Sequence, residues 1–379
     1  MKKAGIITYF YYYNYGTMLQ GYALCRLIES LGQGKIASEL IDCRFEEKQP
    51  TKFQLFRIRI RRLFVYVTQL KRIYKLSKYK NLFRSRQPLF DQFVKDYCRM
   101  SRETYRSSDD LKNNPPVYDI YVTGSDQTWS PKVGLRDSLF LGFAPEGSVR
   151  ASYAPSVGVV SFTDEQRTYF RERLAKYQFV SCREKYGTDL LKDLSPVEVE
   201  TVLDPTLVVS AEEWRKIASQ RVVEGDYVFC YFIGDKPYYR RFAKQLSSQL
   251  NLPLVYIPVS YLDFSQDNNL LWESGPREFL SLIDNAKVVL TDSFHGTVFS
   301  INFNKTFYSF VKHAGLRSMD NMRIVDILER MNLLDRLKER YDGGEINYND
   351  IDYAKTNELL ATERNKSKAF INRIIHDNM

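Results

Sequence analysis

One histidine stands where chemistry is easiest to build. The stretch Lys287-Val-Val-Leu-Thr-Asp-Ser-Phe-His-Gly-Thr-Val-Phe-Ser-Ile301 opens with Val288–Leu290, an apolar run with the length of a buried parallel strand. It breaks at Thr291-Asp292-Ser293 and Phe294-His295-Gly296-Thr297, and the next apolar run can wind as a helix. A strand that turns sharply into a helix puts the turn at the carboxyl edge of a parallel sheet, where open α/β folds hold ligands. The unpaired N–H groups of the helix start favour an anion there. His295, one of only three histidines in the chain, would sit beside that anion site, with Gly296 allowing close approach to the backbone. The alternative is a structural histidine packed at a sheet edge.

Three other stretches place polar residues at expected strand ends. Tyr118–Thr123 reads as a strand that delivers Gly124, Ser125, Asp126 and Gln127 to the same kind of edge. A turn capped by Ser125 and Asp126 is the plainer reading. Phe179–Cys182 reads as a strand with Arg183 and Glu184 directly after it. Arg183 is suited to holding a phosphate or carboxylate through two parallel N–H groups, or else pairs at the surface with Glu184 or Asp189. Near the start, Asn14-Tyr15-Gly16 is a turn signal before a helix, lacking the further glycines of a dinucleotide fingerprint or P-loop.

The elements that must carry these residues alternate strand and helix twice. Ala4–Thr8, a helix through Leu19, Tyr22, Ala23, Leu27 and Leu31, and Ser38–Cys43 make a βαβ opening. Residues 52 to 100 read as helical. Arg150–Ala154 and Phe179–Cys182 read as strands, separated by a helix that Thr163-Asp-Glu-Gln166 opens as a capping box. A second alternation follows: strand 227–233, helix 238–250, strand 254–258, helix 276–285, the histidine motif, strand 305–311 and helix 324–334. Residues 351–379 read as a polar helix. The expected fold is α/β, with two Rossmann-like domains facing across a cleft. The expected divisions are 1–207, with a basic helical insertion at about 46–112; 208–345, carrying the histidine motif; and a helical tail, 346–379.

Bulk properties narrow the classes. The 379 residues are 44% hydrophobic, ample for real cores. No apolar run reaches the 18 residues of a membrane span, and the opening apolar run is too short for a signal-peptide core, so a cytoplasmic protein is expected. Five widely spaced cysteines without a CxxC pair give no zinc signature, and neither metal nor cofactor is expected. The net charge of +9 is concentrated: Lys52 to Arg86 holds twelve cations and no acid. A nucleic acid, an anionic membrane surface or a phosphorylated substrate would answer such a segment.

Taken together, Asn14–Leu24, Val122–Trp129, Ala151–Gly158, Val180–Lys185, Val202–Thr206 and Thr291–Thr297 resemble, in order and spacing, the polysaccharide pyruvyl transferase family. The resemblance runs from Gly5 to near Leu334. It implies a two-domain fold similar to GT-B glycosyltransferases. It also implies transfer of the enolpyruvyl unit of phosphoenolpyruvate to a sugar, usually closing a pyruvate ketal. The family's donor-binding histidine maps onto His295 and its donor-binding arginine onto Arg183. Some members carry an arginine two places before the histidine; here Ser293 stands there, leaving one donor contact unassigned, for which Lys185 or the basic segment is available. On this reading His295 is acid/base and phosphate contact, and Arg183 clamps the donor. Asp126 and Gln127, with Gly124 and Ser125, orient donor or sugar hydroxyls. Asn14 and Gly16 line the cleft beside Ser293, Phe294, Gly296 and Thr297. The expected partners are phosphoenolpyruvate, a sugar acceptor that a polyprenyl-diphosphate can carry, and an anionic membrane face; no nucleic acid is expected. The competing readings are a nucleotide-sugar glycosyltransferase on the same architecture and a non-catalytic carbohydrate- or nucleic-acid-binding protein.

Overall fold

The computed structural model describes residues 1–10, 13–44, 82–234, 236–259, 269–312 and 321–376. Its strands are β1 (Lys2–Ile7), β2 (Ile36–Cys43), β3 (Met100–Tyr105), β4 (Ile120–Thr123), β5 (Val149–Ser152), β6 (Val180–Cys182), β7 (Val199–Thr201), β8 (Val228–Tyr231), β9 (Leu254–Tyr256), β10 (Asn269–Leu270), β11 (Val288–Thr291), β12 (Thr306–Phe310) and β13 (Leu337–Lys338). The helices of the first half are α1 (Tyr15–Leu31), α2 (Gln87–Tyr97), α3 (Ser108–Asn113), α4 (Asp164–Leu174), α5 (Lys185–Leu191) and α6 (Pro205–Val208). Those of the second are α7 (Ala211–Ile217), α8 (Pro237–Leu250), α9 (Pro276–Asp284), α10 (Phe294–Asn302), α11 (Met322–Arg330) and α12 (Ala354–His376).

Two parallel sheets result. The first has the order β3-β2-β1-β4-β5, and the second β10-β9-β8-β11-β12-β13. β6 and β7 pair with each other, and a bridge from Ala151 to Phe179 carries the first sheet's direction on to them. In each sheet the strand order reverses beside the first strand laid down, between β1 and β4 and between β8 and β11. Such a reversal opens a crevice at the carboxyl ends. The α/β, Rossmann-like expectation therefore holds in both halves, on the GT-B-like plan.

Three cores hold these layers. One covers the outer face of the first sheet around Trp129, Phe140 and Phe170, and another the outer face of the second around Phe242, Tyr256 and Phe310. The third is shared, running from Ile6, Leu19 and Leu24 to Phe279, Val298 and Phe299. Its centre is α1, buried from Tyr15 through Cys25 with no solvent face because helices of the second half pack on it. Tyr15 stacks on Phe279 at 4.7 Å between centroids, and its hydroxyl donates to Ser274 O at 2.7 Å.

One expectation falls mostly outside the described residues, and others are corrected. The helical character foreseen over 52–100 is observed only at its end, since residues 45–81 lie outside the described set. The insertion foreseen to about 112 gives way to β3, a parallel edge strand against β2. The last helix is not a polar tail: Leu360, Phe370, Ile371, Ile374 and Ile375 are buried, and Ser367 Oγ accepts from Leu203 N at 2.9 Å. The chain thus returns to the first half. The division expected at 207/208 falls inside α6.

Candidate active site

The two crevices meet around one carboxylate. Asp204, fully buried, caps α6: its Oδ1 accepts from Thr206 N (3.0 Å) and Thr206 Oγ1 (2.6 Å). Its Oδ2 lies 2.9 Å from Ser125 Oγ and 3.0 Å from Arg183 Nη1. The same oxygen faces His295 Nε2 from the other half at 3.7 Å, too long for a hydrogen bond and close enough for a charge to be felt. Burial pushes the Asp204 carboxyl up, but His295, the Arg183 charge and the Thr206 hydroxyl outweigh it and hold it far below the usual carboxylate range.

Arg183 follows β6 and is 2% exposed. The surface ion pair is excluded, because its partners are buried: Glu184 Oε1 accepts from Nε at 3.1 Å, and Asp204 from Nη1. Burial opposes its charge, and Glu184, Asp204 and Asp126 overcome that and raise its pKa further. With two nitrogens taken, only Nη2 remains, buried without a hydrogen-bond partner. The guanidinium lies 4.1 Å from the centroid of the Phe294 ring, which meets the His295 ring edge-on.

His295 is the second residue of α10, whose cap is Ser293: Ser293 Oγ accepts from Gly296 N at 3.4 Å. Nε2 is buried and has no hydrogen-bond partner. The ring rests on Gly16: a β-carbon added at Gly16 would lie 2.0 Å from His295 Nδ1. Gly16 is therefore a seat for the histidine rather than a phosphate turn. Asn14 caps the same helix, accepting from Thr17 N at 3.2 Å. Thr17 Oγ1 in turn donates to Asp126 Oδ2 at 2.9 Å. Asp126 stands in the left-handed region (φ +70°), a costly conformation that collects at functional sites. Its Oδ1 accepts from Gln127 N at 2.8 Å.

The remaining expected site residues serve the frame. Gly124 packs under α1, with Thr8 Cβ 3.0 Å from where its own β-carbon would be. Gly296 is small because Thr291 Oγ1 would lie 2.4 Å from a β-carbon there, which corrects the expectation that a ligand makes the close approach. Thr297 is fully buried on Ser309 Oγ (2.7 Å). Lys185, considered for the missing cation, points to solvent and pairs with Asp189 at 3.2 Å. Of the basic segment, Lys52–Lys80 lies outside the described residues. Arg86 is buried and donates to Tyr15 Oη (3.3 Å) and Pro258 O (2.9 Å), so it belongs to the frame.

Sequence reasoning gave no role to Asp204, Tyr186 and Arg323, and read Glu184 only as a surface partner of Arg183. Asp204-Pro205-Thr206 carries a cap signal that could have found the first. Arg323, on α11, gave no signal. Its charged neighbours are Arg183, Asp126 and Glu184, and burial lowers its pKa. Among the described residues no three His, Cys, Asp or Glu side chains are grouped to hold a metal, and no helix is long and apolar enough to cross a membrane.

Chemically, the cluster offers an imidazole facing a fixed carboxylate, one free N–H edge of a buried cation, and a second cation beside it. That set can hold an oxyanion and move a proton next to it.

A family model described as polysaccharide pyruvyl transferase matches residues 14–311. A comparison with curated protein sequences finds no match. Among solved structures, the UDP-GlcNAc 2-epimerase of Methanocaldococcus jannaschii is similar at 13% identity and TM-score 0.49, over 95% of this chain and 92% of that one. The ADP-heptose lps heptosyltransferase II of E. coli is similar at 14% identity and TM-score 0.37, over 97% and 99%. The strand orders above, not these likenesses, establish the fold.

Proposed function

The chain belongs to the polysaccharide pyruvyl transferase family, and from that premise we propose that it moves the enolpyruvyl unit of phosphoenolpyruvate onto a sugar of a cell-surface polysaccharide precursor. The observation that carries the reading is the pair of buried, unpartnered groups, His295 Nε2 and Arg183 Nη2, on either side of Asp204. A donor bearing a phosphate and a carboxylate needs a cationic N–H edge and a proton source close together.

The steps use those groups. Arg183 Nη2 donates to an oxyanion of the donor. The imidazolium of His295 gives its Nε2 proton to C3, leaving oxocarbenium character at C2. A sugar hydroxyl attacks C2, and the imidazole takes the proton that the hydroxyl loses. A second hydroxyl then forms its bond to C2 as the C2–O bond to phosphate breaks, and its proton leaves on the departing phosphate, which gives the ketal and inorganic phosphate. Asp204 stays ionised throughout, so the imidazolium always faces an anion. Asp126, tied to Thr17, and Gln127 orient hydroxyls from the first half.

The acceptor we propose is carried on a polyprenyl diphosphate, with the enzyme lying at the inner face of the cytoplasmic membrane through the cations of Lys52–Lys80. The test is direct. The protein is incubated with phosphoenolpyruvate and a panel of lipid-linked and nucleotide-linked sugars, and product mass and released phosphate are read. A product heavier by one pyruvate ketal, with one phosphate released, is expected. Thermal stabilisation by nucleotide sugars but not by phosphoenolpyruvate would instead establish a glycosyltransferase.

A further inference from the structure

Arg323 is a half-buried cation on α11. Among the described residues it makes no hydrogen bond and no ion pair. It lies in the first turn of α11, and the helix repeat puts it on one stripe with Asp326 and Arg330. That stripe docks on the end of β6. Asp326 Oδ1 accepts from Lys185 N at 2.8 Å, and Arg330 Nη1 donates to Arg183 O at 3.1 Å. Arg323 continues the stripe toward the Arg183 side chain, and Tyr186 is another of its neighbours.

The Arg183 guanidinium is a neighbour of like charge, and the two cations have Glu184 and Asp126 as their common acids. The acids nearby do not answer the need. Glu184 and Asp204 are spent on Nε and Nη1 of Arg183, and Asp126 on Thr17 and its own neighbour. What is left over is donors: Arg183 Nη2, the Tyr186 hydroxyl and the Ser156 hydroxyl are all buried without partners. Buried donors without acceptors are costly in the unliganded protein. An oxyanion between the two arginines would answer Arg183 Nη2 and Arg323 together.

We infer that Arg323 is the second donor-binding cation, contacting with Arg183 Nη2 an oxyanion of phosphoenolpyruvate, and that it supplies from α11 the contact that Ser293 cannot make. The inference rests on the proposed donor. It also explains how one site serves a reaction that leaves inorganic phosphate behind, since the same pair of cations would hold the released ion.

Binding by titration calorimetry tests it, with phosphoenolpyruvate, inorganic phosphate and pyruvate as three separate probes. For Arg323→Ala the affinity for phosphoenolpyruvate should fall on the order of 10- to 100-fold, the worth of a hydrogen bond to a charged group. Arg323→Lys should recover part of it. The parallel loss with phosphate or with pyruvate identifies which oxyanion is held. Because attraction to Asp126 and Glu184 offsets the repulsion from Arg183, and Arg323 makes no hydrogen bond among the described residues, the unliganded Arg323→Ala protein should melt close to wild type, which separates a lost contact from a lost fold. Wild-type affinity for phosphoenolpyruvate in a folded Arg323→Ala protein overturns the inference and leaves the proposed donor standing. Failure of the wild type itself to bind phosphoenolpyruvate overturns the donor, and this inference with it.

Discussion

Gly16→Ala should disable this enzyme by moving a histidine 279 residues away. The added β-carbon would fall 2.0 Å from His295 Nδ1, 2.1 Å from Cγ and 2.6 Å from Cβ. Ordinary contact begins at 3.4 Å, so the ring must retreat by about 1.4 Å. Turning the side chain does not suffice, because the His295 β-carbon is itself too close, and a β-carbon moves only with its backbone. The first turn of α10 must therefore shift against α1. Overpacking of this kind costs about 1–3 kcal/mol of stability, and a misplacement near 1 Å costs on the order of 10²-fold in turnover. The assay is phosphate release from phosphoenolpyruvate with the acceptor found by product mass, alongside a melting curve. In a His295→Ala background the same change should cost little further activity, since it acts through the histidine. A folded Gly16→Ala enzyme turning over within twofold of wild type would refute the claim that Gly16 seats the catalytic imidazole.

His295→Ala should lower turnover by ~10²–10⁴-fold while leaving the melting temperature close to wild type, and near-normal turnover would remove it from the mechanism. Arg183→Lys should not restore function, because an ammonium cannot reach Glu184, Asp204 and the donor together. It should also melt earlier, since buried Asp204 and Glu184 lose hydrogen bonds; equal activity and stability would exclude the buried clamp. Asp326 carries the opposite kind of signal. Burial pushes its carboxyl up from 3.8 to about 6, with Arg330 opposing and Glu184 reinforcing. The folded state thus binds more protons than the unfolded between about pH 4 and 6, and this group's contribution to stability falls as pH rises through that window. Asp326→Asn, which keeps an acceptor for Lys185 N, should be more stable than wild type above pH 6, on the order of 2 kcal/mol, with the gap closing toward pH 4. Parallel unfolding curves for the two proteins across that range would show that Asp326 is not the titrating group.

What was legible in the sequence follows from what is local. β11 could be read because a strand covered on both faces needs an unbroken apolar run, and Val288–Leu290 is one. His295, Arg183 and Asp126 could be placed at strand ends by adjacency alone. β3 could not, because Met100–Tyr105 is an edge strand with three consecutive exposed residues, Arg102, Glu103 and Thr104, and so lacks a period of two. β10 and β13 are two residues each, too short to carry any period. The final helix hid its docking face because the buried positions are spread through 23 residues of mostly polar chain. At the site, residue types were visible and partners were not. Gly16 reads as a turn glycine until α10 is seen resting on it, and Arg323 reads as a surface residue until α11 is seen docked on β6.

The geometry also says how a site split between two halves is kept in register. Asp204, Arg183, Ser125 and Thr206 belong to the first half and lock one another with hydrogen bonds of 2.6–3.0 Å. His295 comes from the second half and has no such bond; packing alone sets its 3.7 Å from Asp204. That packing is fixed at the other end of α10. Asn302 Nδ2 donates to Thr206 O at 2.7 Å and to Val209 O at 2.8 Å, and Asn302 Oδ1 accepts from Arg364 Nη2 at 2.8 Å. Arg364 lies on the returning helix α12 and also donates through Nε to Leu207 O at 2.7 Å. The helix that presents the histidine is thus pinned by its far end to the segment that Asp204 caps. Buried ion pairs add little net stability and lose much when broken, so Arg183 and Asp204 are better understood as fixing position than as holding the fold. The returning helix then acquires a role that its polar composition conceals: it holds the second half's helix at the distance from Asp204 at which an imidazole feels the carboxylate and keeps Nε2 free.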